Sequence, residues 1–357
     1  MLPTSNAGAE LQLSVDATRH QPQEVDDVFA IEAASASVLW EKAWDEIARS
    51  GNPRSHRRGG YAEILHAVMA LPDPRQRWVA SRTPPVNPAF ALAEVVWIIQ
   101  GRKDSAFVTP WNNQLTQYAG SGPEFYGAYG ERLRSRFGFD QLDRAARVLR
   151  ANPEQRQVVL QIWDARTDLP SDDGHSRATD IPCNTSSMLK VVDGRLEWLQ
   201  VMRSNDLVRG LPYNFVQWTT IQEVLAGWLD LELGSYVHIS DSLHVYDSDS
   251  SGFAPLGFEP PKTTSDLRLS LSESDAVFET LERAFLAISG CGSTEQVLSE
   301  TRYDIPEPYV DWLNVVASER LRRLGDKQLA LDVASRVGDA QLRSVTEAWH
   351  ESKWGGQ

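Results

Sequence analysis

The feature that most constrains the fold is a pair of alternating segments joined by a two-residue turn. Residues 188–192 and 196–203 carry β-branched and aliphatic side chains in the alternation that is typical of half-buried strands. Asp193-Gly194 lies between them, and this dipeptide is a strong signal for a tight hairpin. The centre of the chain therefore contains an antiparallel strand pair, and a further alternating segment at 157–163 is expected to pair with it.

Helical periodicity surrounds these strands. Apolar residues recur at helical spacing over four segments, which are 34–48, 88–101, 140–151 and 214–229. The second segment carries a single carboxylate, Glu94. Residues 236–240 read as another strand, and 61–71 fit a strand or a helix. After a Pro/Gly/Ser-rich connection at 248–265, helices are predicted over 272–288, 308–324 and 327–350. We expect a tail at 1–33, a catalytic domain at 34–250 and a helical region at 251–357.

Composition limits the possible functions. The chain of 357 residues has 41% hydrophobic and 24% charged residues, which is ordinary for a globular protein. Its net charge of -14 argues against nucleic acid as a partner, although a few local arginines suffice for a small anion. Two cysteines make a disulfide framework improbable, no metal-ligand spacing occurs, and no segment has the length of a membrane span. A cytoplasmic location without membrane or metal is expected.

One cysteine stands in a chemically suggestive setting. Cys183 follows Pro182, and Arg203-Ser204 lies about 20 residues downstream in a dense polar cluster. A catalytic thiol acts as the thiolate, which a neighbouring cation such as Arg203 stabilises. The same arginine and the Ser204 hydroxyl suit a phosphate. The alternative is that Cys183 is a small core residue, the role expected of Cys291.

Several motifs in a consistent order resemble the thymidylate synthase family. The resemblance covers roughly residues 54–249, and its blocks are Pro182-Cys183, Arg203-Ser204 with Asp206, Gly210-Leu211-Pro212-Tyr213-Asn214, His244-Val245-Tyr246, and upstream Glu94-Val95-Val96-Trp97-Ile98-Ile99-Gln100-Gly101, Trp111, Phe125-Tyr126-Gly127 and Gln155-Arg156-Gln157-Val158-Val159.

The resemblance implies a fold and a reaction. The fold class is α/β (α+β), a thymidylate synthase-like mixed sheet that forms a homodimer interface, with helices packed behind it and with 61–71 as a strand. The reaction is transfer of a one-carbon unit from 5,10-methylenetetrahydrofolate to C5 of a pyrimidine nucleoside monophosphate. Cys183 is the expected nucleophile, because addition of a thiolate to C6 makes C5 reactive.

The family pattern also implies how the nucleotide is held. Arg203 and Ser204 would bind the phosphate, together with Arg156 from the partner subunit and one arginine of the Arg57-Arg58 pair, with Arg58 preferred. A dianion in a partly buried site requires several such donors.

The base and the sugar are assigned to other residues. The Asn214 amide has a donor and an acceptor that match the O4 and N3–H edge of uracil. His244 and Tyr246 would bind a sugar hydroxyl. Asn205 either belongs to the site or simply caps its turn.

The remaining assignments concern the cofactor and proton transfer. Trp111 and Asp206 would contact the folate, and Asp206 would orient its pterin. Glu94 would position water for proton transfer, a role in which desolvation raises a carboxyl pKa. Tyr126 would complete the polar wall.

Departures from the family pattern bear on the product. Asn184, Met202 and Gln157 replace the histidine, glutamine and second arginine of common members, and Gln114 replaces a second tryptophan. The hydrophobic C-terminal tail that closes over folate is absent. The expected reaction is conversion of dUMP to dTMP, the commoner branch. The alternatives are a 5-hydroxymethylase acting on dUMP, dCMP or CMP, and an inactive relative that binds nucleotide or regulates a partner.

Overall fold

The computed structural model describes residues 29–56 and 59–354. Most of the predicted N-terminal tail and both members of the Arg57-Arg58 pair lie outside these residues. Among the described helices, none is long and apolar enough to cross a bilayer.

Ten strands and fourteen helices are found in the described part of the chain. The strands are β1 (Ala30–Glu32), β2 (Asn52–His56), β3 (Gly59–Leu71), β4 (Arg82–Thr83), β5 (Val159–Gln161), β6 (Asn184–Val192), β7 (Arg195–Met202), β8 (Asn205–Asp206), β9 (Glu232–Tyr246) and β10 (Ala254–Pro255). The helices are α1 (Ala36–Ser50), α2 (Pro88–Ile99), α3 (Ser105–Val108), α4 (Leu115–Ala119), α5 (Tyr129–Arg134), α6 (Gln141–Ala151), α7 (Ala165–Asp168), α8 (Leu211–Leu229), α9 (Asp247–Ser250), α10 (Leu271–Gly290), α11 (Thr294–Ser299), α12 (Glu307–Arg323), α13 (Lys327–Ala334) and α14 (Ala340–Trp354).

A mixed sheet organises the molecule. Its strand order is β1-β3-β9-β7-β6-β5, with β2 added to β3 and β8 added to β9. Strand β9 pairs antiparallel with β3 and parallel with β7. The predicted hairpin is confirmed, because Val192 pairs with Arg195 and both turn residues are left-handed, Asp193 at φ 49° and Gly194 at φ 73°. The predicted α/β class is confirmed with it.

Helices α2 and α8 form the centre of the layer behind the sheet. The Asn87 side chain caps α2 by accepting from the Phe90 N–H at 3.1 Å, and Pro88 occupies the first turn. Nearly every residue of α2 is buried, because α8 lies on one side of it and α10, α12 and α14 pack against other sides.

The outer face of the sheet carries a continuous apolar surface. Leu199 pairs with Met188 on one side and with Val237 on the other, and Val201 pairs with Ile239. These side chains are partly exposed, with Met188 at 41%. They alternate with the buried residues that face α8.

The structure corrects the bounds of three predicted elements and adds a short helix. The helix predicted over 327–350 is two helices, because the Asp311 carboxylate accepts from the backbone N–H groups of Gly338 and Asp339 at 2.7 and 2.9 Å and fixes a turn between them. The short helix α11, which begins at a Ser293/Gln296 capping box, was not predicted. Strand β9 is longer than 236–240, because it pairs with β3 along one edge and with β7 and then β8 along the other, and β5 is shorter than 157–163.

Candidate active site

A cavity of about 1250 Å³, called here the central cavity, opens beside the ends of β7 and β9 and the start of α8. Cys183, Arg203 and Asn214 all line it, although they are far apart in sequence. The thiol is partly exposed. The structure therefore joins the predicted nucleophile, the predicted anion site and the predicted base-reading amide in one space.

Arg203 positions the chain that carries the thiol. Its backbone N–H donates to the Cys183 carbonyl at 2.9 Å, where β6 begins. Its guanidinium donates from Nε to the Pro182 carbonyl at 2.9 Å and from Nη2 to the Ile181 carbonyl at 3.0 Å, and it lies 5.4 Å from the Trp163 ring. A guanidinium has five N–H donors. Further donors thus remain for an anion beside Ser204, which also lines the cavity.

Asn214 belongs to a buried polar network. Its Nδ2 donates to Asn205 Oδ1 at 3.1 Å, and Asn205 Nδ2 lies 2.9 Å from His238 Nε2 and donates to Ser240 Oγ at 3.1 Å. Asn205 does not cap its turn. The Asp206 carboxylate does so, by accepting from the Val208 and Arg209 N–H groups at 2.9 and 2.8 Å.

Three carboxylates that line the cavity, Glu94, Asp180 and Asp206, have pKa values raised by burial. Burial raises the pKa of Glu94, on α2, to about 8, and a contact with Gln217 opposes this only partly. Glu94 is therefore largely protonated at neutral pH. Burial also raises the pKa of Asp206, while the N–H of Arg209 and the charge of His244 act in the opposite direction.

The sugar-binding candidates lie in an aromatic group. The His244 ring is 5.2 Å from that of Tyr246 and 5.7 Å from that of Tyr61, and all three residues line the cavity. The two rings of the predicted His-x-Tyr pair meet nearly edge to face. This arrangement presents polar atoms on an aromatic wall.

Trp111 is a buried wall residue of the same cavity. Its carbonyl accepts from Asn87 Nδ2 at 2.9 Å and from Arg323 Nη2 at 2.7 Å, which ties α2 and α12 together. Its indole Nε1 is buried and has no hydrogen-bond partner among the described residues.

The structure does not bring Tyr126 into the cavity. Its hydroxyl donates to the Thr167 carbonyl at 3.1 Å, and its ring lies 5.2 Å from the Arg132 guanidinium. Tyr129 lines the cavity in its place, and burial, followed by the nearby Cys183, raises the pKa of its phenol. A second Tyr-Gly pair, Tyr129-Gly130, was the available sequence signal.

The C-terminal helices supply a wall that the sequence did not predict. Arg322, Arg323, Trp349 and Lys353 line the cavity from α12 and α14. They are organised by Glu319, whose side chain is 1% exposed and accepts from both arginines and from the indole of Trp349 at 2.6–2.8 Å. Burial opposes ionisation of Glu319, but the arginines outweigh it and hold its pKa below the usual value.

The remaining phosphate candidates lie elsewhere. Arg156 is exposed on the segment before β5 and does not line the cavity of its own chain. Arg58, like Arg57, lies outside the described residues. Among the described residues, no group of His, Cys, Asp and Glu has the arrangement of a metal site.

Known proteins match the part of the chain that contains the motif residues. The family model described as thymidylate synthase matches residues 39–295. The deoxyuridylate hydroxymethyltransferase of Bacillus phage SP01 is 31% identical over 233 residues, 62% of this chain and 60% of the relative. The protein of the same name from Pseudomonas phage M6 is 32% identical over 216 residues, 59% of this chain and 60% of the relative.

A thymidylate synthase of Clostridium beijerinckii is 27% identical over 168 residues, 45% of this chain and 59% of the relative. The chain thus spans about 60% of the length of the curated relatives that it matches. Because the family model covers most of the chain, including every described cavity residue proposed from the motifs, the chain belongs to the thymidylate synthase family.

Proposed function

We propose that the protein transfers a one-carbon unit to C5 of dUMP and releases 5-hydroxymethyl-dUMP. The observation that carries this proposal is the single cavity shared by Cys183, Arg203 and Asn214. Covalent attack on a pyrimidine that is anchored by its phosphate requires these three functions in one space.

The chain's own residues account for binding of the nucleotide. Arg203 and Ser204 hold the phosphate, and Asn214 pairs with the O4 and N3–H edge of the base. His244 and Tyr246 receive the sugar hydroxyl. This orientation places C6 of the ring against the thiol.

The space and the wall residues fit a folate as second ligand. Small-ligand sites usually measure roughly 300–1,000 Å³, and the central cavity is larger, at about 1250 Å³. Trp111 offers an aromatic surface, and Asp206, whose Oδ1 accepts from two backbone N–H groups, places a carboxylate in the same space. When bound, 5,10-methylenetetrahydrofolate supplies one carbon at the oxidation level of formaldehyde.

The chemical steps balance without a reductant. The Cys183 thiolate adds to C6, and the electron pair of the C5–C6 double bond makes C5 nucleophilic. C5 would then bond to the one-carbon unit, and the bonds between that carbon and the folate nitrogens would break, so that tetrahydrofolate leaves with the electron pairs. The C5 proton passes to water held in place by hydrogen bonds to protonated Glu94 and to Tyr129, and an exocyclic methylene group remains on C5. Water then adds to the exocyclic methylene group as the C6–S bond breaks, which returns the thiolate and leaves CH₂OH on C5.

Two observations favour the hydroxymethyl product over thymidylate. The relatives that are 31% and 32% identical are both named deoxyuridylate hydroxymethyltransferase. Arg322, Arg323 and Lys353 give the cavity a charged wall and not an apolar one, whereas a hydride transfer requires exclusion of water. Methylation, the reaction favoured by the motifs alone, is the second candidate.

Product analysis tests the proposal. Purified protein is incubated with dUMP, tetrahydrofolate and labelled formaldehyde, and the nucleotide is identified by mass spectrometry, with dCMP, UMP and CMP in parallel. We expect labelled 5-hydroxymethyl-dUMP, and release of tritium from [5-³H]dUMP.

Cys183→Ala is expected to abolish both signals. Cys291→Ala is the matched control, because Cys291 lies at the end of α10 away from the cavity. Thymidylate as the product would refute the hydroxymethylase assignment. Tritium release that persists in Cys183→Ala would remove the nucleophile, and the absence of release with every pyrimidine would favour an inactive relative.

We also propose that two chains pair through the outer face of the sheet. The Met188, Leu199 and Val237 row is apolar and uncovered within one chain, which is unusual for a surface without a partner. Pairing of this face would bring the exposed Arg156 toward the cavity of the other subunit. Light scattering is expected to give twice the chain mass.

A further inference from the structure

The polar network behind Asn214 runs into the sheet and is fully enclosed. Asn214 is 5% exposed, Asn205 2%, and Tyr236 and His238 0%. The chain of contacts runs from Asn214 Nδ2 to Asn205 Oδ1, from Asn205 Nδ2 to His238 Nε2 and from His238 Nδ1 to the Tyr236 hydroxyl, at 3.1, 2.9 and 2.8 Å. Asn214 and Asn205 line the cavity, and His238 and Tyr236 do not.

Each link has a direction. The two N–H groups of Asn205 are directed at Ser240 Oγ and His238 Nε2, so its carbonyl oxygen is left to accept from Asn214. A neutral imidazole that accepts at Nε2 carries its proton on Nδ1, and that proton is donated to the Tyr236 oxygen. Burial lowers the pKa of His238 to about 3, so the ring is neutral at physiological pH.

Reversal of the histidine tautomer would reverse the whole chain. With the proton on Nε2, His238 would donate to Asn205 Oδ1, and the turned amide of Asn205 would donate to Asn214 Oδ1. The Ser240 hydroxyl can donate or accept and therefore does not oppose this change. The direction of the Asn214 amide is thus coupled to the position of one proton inside the sheet.

The direction of that amide decides which base fits. Uracil presents an acceptor at O4 and a donor at N3, and cytosine presents the reverse at the same two positions. An amide held in one orientation places donors opposite acceptors on one base. On the other base it places donor opposite donor and acceptor opposite acceptor. An amide that turns freely accepts both.

We propose that His238 and Asn205 are positioning residues that hold the Asn214 amide in the orientation for uracil and so exclude cytosine. This inference rests on the proposed function in one respect, the contact between Asn214 and the base. His238 lies outside the cavity, and Asn205, which borders it, is assigned its effect on the base through its contact with Asn214.

The experiment compares binding of dUMP and dCMP by calorimetry, so it does not depend on turnover. In His238→Phe, Asn205 loses the acceptor that fixes its amide, and we expect the ratio of the two dissociation constants to fall by roughly tenfold or more. In Asn205→Asp, the carboxylate can still accept from Asn214, so the preference for dUMP is expected to persist.

The double variant His238→Phe/Asn205→Asp separates positioning from folding. A carboxylate at 205 needs no histidine to define its direction, so the preference for dUMP should return, whereas a merely structural loss would not be rescued. An unchanged ratio in folded His238→Phe, or no recovery in the double variant, would overturn the inference.

A measurement on the unaltered protein provides a second test. Long-range ¹H–¹⁵N spectra distinguish imidazole tautomers, and we expect the proton of His238 on Nδ1. A proton on Nε2 would overturn the inference even if a variant failed to fold. If dUMP binds selectively but no C5 product forms, the proposed function fails and the positioning role stands.

Discussion

Glu94 makes the stability of the folded protein depend on pH in a definite direction. Its pKa is about 8 in the folded protein and 4.5 for an ordinary glutamate, so the folded state binds the extra proton between these values. The contribution of Glu94 to the free energy of unfolding is fully present below pH 4.5 and is lost as the pH rises through 8. Replacement by glutamine, which is neutral and similar in shape, removes the dependence.

The magnitude follows from the two pKa values, which differ by about 3.5. At about 1.4 kcal/mol for each unit, the upper limit is roughly 5 kcal/mol. A small part of this change has already occurred at pH 5, so about 4 kcal/mol remains between pH 5 and pH 9. Glu94→Gln should therefore gain about 4 kcal/mol relative to the unaltered protein over this range.

Urea unfolding at several pH values measures this difference in the free energy of unfolding. The contributions of the other titrating groups are the same in both proteins and therefore cancel. Glu295→Gln, at an exposed position on α11, is the control and should show a constant difference. A constant difference for Glu94→Gln between pH 5 and 9 would refute the reasoning. In the same variant, tritium release from [5-³H]dUMP is expected to fall about 100-fold, the lower range for a lost proton-transfer group.

Three further outcomes are expected. Inactive Cys183→Ala subunits and Arg156→Ala subunits, which are weakly active at limiting dUMP, should recover about a quarter of normal activity when mixed and reassociated, because half of the dimers then contain one complete site; no recovery would place Arg156 outside the partner's site. Asp168→Ala leaves the guanidinium of Arg132, 0% exposed, without its partner at 2.6 Å and should cost about 3–5 kcal/mol in urea unfolding; a loss below about 1 kcal/mol would contradict this. Glu319→Gln should raise the KM for the one-carbon donor more than that for dUMP, and equal changes in both would contradict its role in the cavity wall.

The elements that local rules govern were predictable from the sequence. Helix α2 has a capping asparagine, a proline in its first turn and a uniformly apolar run, and all three signals lie within a few residues. The Asp193-Gly194 hairpin is similar, since its turn type requires two left-handed residues. The same reasoning could not show that Gly338 and Asp339 break a helix, because the carboxylate that binds them, Asp311, lies on α12.

The tyrosine assignment shows where a motif fails. Tyr126 and Tyr129 each precede a glycine and stand three residues apart, so the sequence cannot decide between them. A Cβ on Gly130 would lie 2.8 Å from the carbonyl oxygens of Trp97 and Ile98, so this glycine permits α5 to approach the end of α2 closely. That approach sets Tyr129 at the cavity, and it depends on a contact between distant segments.

The C-terminal helices raise the same problem on a larger scale. Their periodicity predicts an apolar face but not the surface that the face covers. Helix α2 is apolar on all sides and therefore requires cover beyond α8, which α10, α12 and α14 provide. Glu94 on α2 borders the central cavity, and α12 and α14, two of the helices that cover α2, also reach it. Arg322 and Arg323 therefore line the cavity although they follow the family match, which ends at residue 295. The division at 250–251 remains a prediction, but removal of residues 251–357 would expose α2 and open the cavity together, so we expect the shortened chain to lose its fold and its nucleotide site in the same transition.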